Sequence, residues 1–115
     1  MDDTGPDGRS GVYVALWSRP RPGPGHETFP RSLCLPMSVD NHDKRGLTIR
    51  AEFEPEAGGR VSVPSAICGR ASPVPARLGP GEKADGVLGF YIPAGKGRLI
   101  LIGSHNFDWY VDVSS

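Results

Sequence analysis

Glycine and proline recur along this chain at short intervals, between apolar segments rather than in one block. They number 16 and 12 in 115 residues, roughly a quarter of the chain. Proline removes a backbone donor and glycine costs entropy in a helix interior, so long helices have no room here. The few windows of about twelve residues that lack both show period two instead of 3.6. Such punctuation predicts many short strands joined by turns.

Seven segments read as strands: residues 12–17, 32–40, 47–54, 60–63, 87–92, 98–102 and 109–113. The cleanest is 47–54, where Leu47, Ile49, Ala51 and Phe53 face one way and Thr48, Arg50, Glu52 and Glu54 the other. The charged side must meet water, so this sheet is covered on one face only. Leu33, Leu35, Met37 and Val39 alternate in the same manner, with Cys34 on the opposite face. Pro36 lacks a donor and predicts that its strand is an edge, is bulged there, or begins after it. Residues 98–102 are apolar on both faces and predict a central strand. Residues 18–30 hold a proline-rich loop, and 65–77 read as irregular. Turns fall at 41–46, 56–59, 78–82 and 94–97. About seven strands with turn signals every eight to twelve residues or so predict an all-β, immunoglobulin-like antiparallel β-sandwich, with a small β-barrel as the alternative. No Trp lies between the two cysteines, unlike antibody domains.

The length fits one domain, at residues 11–115, large enough for a real core. Residues 1–10 carry no large apolar side chain and predict a disordered tail. With 13 basic and 13 acidic residues the formal charge is zero, which argues against nucleic acid as a partner. Apolar runs are short, as in Leu99-Ile100-Leu101-Ile102, so no membrane span is expected. Cys34 and Cys68 allow one pairing, which would close a loop of about 35 residues and add about 3–4 kcal/mol. Two buried thiols of a cytosolic domain are the alternative.

Two stretches together resemble a known family. One is Met37-Ser38-Val39-Asp40-Asn41 followed by Leu47; the other is Leu78-Gly79-Pro80-Gly81-Glu82 followed by Gly86, Leu88, Phe90 and Pro93. This pattern resembles the immunoglobulin-like domains of the bacterial DUF4352 family of unknown function, which are similar to secreted mycobacterial immunoprotective antigen domains. The resemblance spans residues 12–113 and implies a secreted or envelope-associated domain with no catalytic residues. No charged-then-apolar leader opens this chain, which points to the cytoplasm unless a leader has been trimmed. The residues also have roles of their own. Pro80 presets a turn, Gly81 accepts positive φ, Gly86 permits a bulge or close backbone approach, and Phe90 fills the core.

Chemistry is sparse. Gly95-Lys96-Gly97 lacks the remainder of a phosphate loop, and no Gly-x-Ser-x-Gly occurs. His26, His42 and His105 all lie in loops, where a hydrolytic site would need a serine and a carboxylate to converge on one of them. Asp40, Asn41, His42 and Asp43 in one turn, and His105, Asn106 and Asp108 near another, are the candidate metal ligands. Carboxylates with amide oxygens suit calcium, and histidine with carboxylate suits zinc or copper. Ordinary Asx turn chemistry accounts for the same residues. The pairs Phe90-Tyr91 and Trp109-Tyr110 must point to opposite faces, which makes Tyr91 and Tyr110, with Trp17, the candidate exposed binding aromatics. The basic, proline-rich 19–25 segment suits either a plain loop or docking into an aromatic groove.

The leading expectation is a non-enzymatic module that binds another protein or itself through a sheet edge or end loops, with no cofactor. A carbohydrate-binding module and a small metal-dependent or hydrolytic enzyme are the alternatives. An exposed aromatic row, a convergent pocket and an open edge would separate the three.

Overall fold

The computed structural model describes residues 11–69, 74–104 and 107–114. The expected tail at 1–10 lies outside them. Ten strands run through the described residues: β1 Val12–Leu16, β2 Arg21–Gly23, β3 Arg31–Asn41, β4 Leu47–Pro55, β5 Val61–Val63, β6 Ser65–Ala66, β7 Arg77–Leu78, β8 Lys83–Ile92, β9 Gly97–Gly103 and β10 Phe107–Val113. No helix forms among the described residues. Seven of the ten are the expected strands; β2, β6 and β7 are two- or three-residue additions.

All pairings are antiparallel and build two sheets packed as a sandwich, which is not closed into a barrel. Sheet one runs β1-β3-β8-β6, with β2 following β1 along the same side of β3. Sheet two runs β10-β9-β4-β5, with β7 beside β5 along β4. The chain changes sheets across Pro64, between β5 and β6, and Pro64 O accepts from Tyr91 N at 3.0 Å. It changes again through the turn at 93–96, where Arg31 Nε donates to Pro93 O at 3.0 Å.

The two inner faces form the core. Leu35, Met37, Val39, Leu88, Phe90 and Ile92 of sheet one meet Leu47, Ile49, Phe53, Leu99 and Leu101 of sheet two. Phe53 is fully buried, and truncation of such a side chain to alanine costs about 3–5 kcal/mol. The alternation along β4 is as expected, with 47, 49, 51 and 53 buried and 48 and 50 exposed. β9 is an interior strand between β4 and β10, and its outward Ile100 is 6% exposed.

Several expectations are corrected. β3 is not an edge: it lies between β8 and the β1/β2 side, with Pro36 in register with Val87 and no break. Pro36 O accepts from Trp17 N at 3.0 Å, so the side of Pro36 that lacks a donor faces β1 and β2. There the side strand is interrupted, since β1 stops opposite Met37 and β2 begins opposite Cys34. The gap absorbs the missing N–H. The 18–30 segment is therefore not all loop, because β2 forms inside it. The 65–77 segment contains β6 and the start of β7. β8 begins at Lys83, and Gly86 pairs in register with Met37 without a bulge.

Candidate functional site

The two motif segments meet at one end of the sandwich. Asn41 is the last residue of β3 and is fully buried. Its Nδ2 donates to Arg45 O and Gly79 O at 3.0 Å each and to Leu78 O at 3.4 Å, while Oδ1 accepts from Asp43 N at 3.0 Å. Its backbone accepts from Gly81 N and donates to Glu82 O. The 79–82 turn closes on itself: Gly81 has φ +77°, Glu82 N donates to Gly79 O at 3.1 Å, and Gly79 N donates to the Glu82 carboxylate at 2.5 Å. Proline followed by a positive-φ glycine makes this a type II turn. Every one of these contacts satisfies a buried or turn group, so the arrangement is structural.

Among the described residues the candidate metal ligands do not converge on one point. Asp43 accepts from Arg45 through both carboxylate oxygens at 3.1 Å, and this hydrogen bonding raises the Arg45 guanidinium above its ordinary pKa. Asp40 pairs with His42 at 3.1 Å. Among the described residues no group of three His, Cys, Asp or Glu side chains is placed to hold a metal. Thr48 and Ser104 exchange hydrogen bonds, which brings the start of β4 and the end of β9 to the same end of the sandwich. His105 and Asn106 lie outside the described residues, and Asp108 is exposed on β10.

The candidate aromatics are divided. Trp17 (59% exposed) and the half-buried Tyr91 lie on the outer face of sheet one, whereas Tyr110 (54% exposed) lies on the outer face of sheet two. Trp17 is placed beside Pro36, and Tyr91 opposite Ser32, four residues and ~13 Å further along β3. His26 packs on Tyr91 with centroids 5.0 Å apart, and Arg98 caps the Tyr110 ring at 4.2 Å. No coplanar row of the three exists. The outer face of sheet two is otherwise laced with ion pairs. Glu52 accepts from Arg50 at 2.9 Å and from Arg60 at 3.5 Å, and Arg98 stands 3.5 Å from Asp112.

Cys34 and Cys68 are joined as a disulfide with Cα atoms 6.0 Å apart. Cys34 points away from the leucines, as the alternation requires, yet is buried beneath the bridge. A cleft of about 630 Å³ lies between β4, β5, β6 and β8, lined by Ile49, Val63, Val74, Val87 and Phe90 together with Arg50 and Ser65. It gathers no histidine or carboxylate among the described residues.

The most distinctive surface is the edge formed by β1. Tyr13 (41% exposed), Ala15 and Trp17 all point outward on sheet one, and β1 pairs only with β3 among the described residues. No charge, proline or glycine falls between 13 and 17. Tyr13 and Ala15 are not singled out by the sequence as binding residues. Period two within 12–17, which places them on the same face as Trp17, is the available signal. The 19–25 segment does not project as a docking loop throughout, since Arg21–Gly23 is bound to β3 as β2. No family model, curated protein or solved structure matches the chain.

Proposed function

We propose that the chain is a non-enzymatic, immunoglobulin-like module that binds protein through the β1 edge, in a secreted or envelope setting. The uncharged outward row Tyr13, Ala15 and Trp17, on a strand that pairs only with β3 among the described residues, carries the reading. A strand at the margin of a sheet can take an incoming strand along its backbone, and outward side chains select among strands. Strand order supports the fold class. With the short β2, β5 and β7 set aside and the two-residue β6 taken as the D strand, β1-β3-β8-β6 and β10-β9-β4 correspond to the A-B-E-D and G-F-C sheets of constant-type immunoglobulin domains. The Cys34–Cys68 bridge supports an oxidising compartment. The resemblance to the DUF4352 family agrees with both, and the two motif segments behind it interlock around Asn41.

Amide NMR tests the reading. Titration with calcium, zinc and a panel of neutral oligosaccharides is expected to move no resonance. Extended peptides selected for binding are expected to slow amide exchange along residues 13–17. Zinc-dependent shifts clustered at Asp40 and His42, or oligosaccharide-dependent shifts clustered at Trp17, would overturn it.

A further inference from the structure

We infer that the Cys34–Cys68 bridge is a site of thiol–disulfide exchange, at which a dithiol protein attacks Cys68 and Cys34 leaves. The inference stands apart from the protein-binding reading of β1.

The two sulfurs differ in access. Cys34 sits inside sheet one, opposite Gly89 of β8 on one side and Arg21 of β2 on the other, and is 6% exposed. The β2 backbone lies close to it, since a β-carbon on Gly23 would stand 3.6 Å from the Cys34 sulfur. Cys68 follows β6 outside the strands and is half-buried. Gly69 comes next with φ +63°, and among the described residues no atom lies within 4 Å of where its β-carbon would stand. A surface groove of about 430 Å³ reaches the bridge there. Arg21, Pro22, Pro24 and Gly69 line it together with both cysteines, and no acidic side chain does among the described residues. An incoming thiolate therefore meets Cys68 first, with no like charge against it.

The leaving side is suited to the reaction as well. Arg21 and Cys34 are directly opposed across β2 and β3, so their side chains rise on the same face with β-carbons about 5 Å apart. A neighbouring arginine stabilises a thiolate, and a stabilised thiolate is the better leaving group. A bridge that only staples the fold needs neither the groove nor the cation.

The partner's thiolate bonds to Cys68 Sγ as the Sγ–Sγ bond breaks, and the electron pair departs on Cys34. The partner's second thiolate then forms the partner's own disulfide and expels Cys68. Two electrons pass to the bridge, both cysteines end as thiols carrying the protons of the dithiol, and the partner is oxidised. The strand pairing that still holds this segment to sheet one is that of β6, Ser65 with Phe90 and Ala66 with Gly89.

Reduction of the full, oxidised, folded chain tests this. With dithiothreitol the rate is expected to be first order in dithiol and unchanged by urea below the unfolding transition. Arg21→Gln is expected to slow it about three- to tenfold and Arg21→Lys to slow it less, with the differences shrinking at about 0.5 M salt. Thioredoxin whose second active-site cysteine is replaced by serine serves as the protein probe. It is expected to be trapped on the chain, and peptide mass mapping after acid quench is expected to place it on Cys68. A reduction rate that follows global unfolding, an adduct on Cys34, or no adduct at all overturns the inference. So does an Arg21→Gln protein that reacts as fast as wild type, or an Arg21→Lys protein as slow as Arg21→Gln.

Discussion

Asn41 and Gly79 stand 38 residues apart in the chain and are joined by a 3.0 Å hydrogen bond from the Asn41 amide to the Gly79 carbonyl. With the bonds to Arg45, Leu78 and Asp43, one buried side chain ties the β3–β4 turn to the turn that starts β8. Asparagine suits the position because its amide both donates and accepts. Asn41→Ala leaves these groups without that partner and is expected to cost about 2–3 kcal/mol in denaturant unfolding. Asn41→Asp is expected to cost more at neutral pH, since a carboxylate would face three carbonyl oxygens. An Asn41→Asp protein as stable as wild type would remove Asn41 from this role.

Gly89 lies beneath the disulfide. A β-carbon there would collide with the Cys68 sulfur and come within 2.7 Å of Ala66 O. Gly89→Ala is expected to destabilise the oxidised protein by about 1–3 kcal/mol. Replacing Cys34 and Cys68 by alanine is expected to cost about 3–4 kcal/mol through the freed unfolded chain. In that background Gly89→Ala is expected to cost less, because half of the collision is gone. Strict additivity in the double-mutant cycle would show that the glycine and the bridge are independent.

Gly81 has φ +77°, and no atom lies within 4 Å of where a β-carbon would stand, so only its backbone restricts substitution. Gly81→Ala is expected to cost about 1–2 kcal/mol. Gly81→Asn is expected to cost less, because asparagine tolerates the left-handed region. Thermal melts of the two variants check the order, and equal losses would point away from φ as the cause.

Much of the sandwich is legible in the sequence because the apolar residues of β3 and β4 alternate with period two, although only β4 alternates in burial and β3 is buried on both faces from Ser32 to Met37. The short strands are not. Two or three residues carry no periodicity, and β2, β6 and β7 exist because β3, β8 and β4 present open backbone groups to them. Pro36 misleads for a related reason: its missing donor is local, but the gap that accommodates it belongs to another strand. The pairing of Cys34 with Cys68 depends on the sheet change at Pro64, which brings Cys68 over the outer face of β3. In the candidate site, Trp17 is legible as exposed. The division of Tyr91 and Tyr110 between opposite sheets requires the topology.

The ion-pair lacing of sheet two makes an acid-dependent contribution to stability. The Arg50 hydrogen bond holds the Glu52 carboxyl below its ordinary pKa, opposed by burial and assisted by the Arg50 charge and then by Arg60. A carboxyl depressed in the folded state binds protons more readily when unfolded. The stability it confers is therefore present above the unfolded pKa and lost as pH falls through the folded one. Arg50→Ala is expected to raise the Glu52 titration midpoint, followed by NMR of the side-chain carboxyl, and Arg60→Ala to raise it less. Wild type is also expected to lose more stability than Arg50→Ala across the same acidification. A larger effect of Arg60→Ala would mean that the β5 side of the sheet, and not the neighbour on β4, holds the Glu52 charge in place.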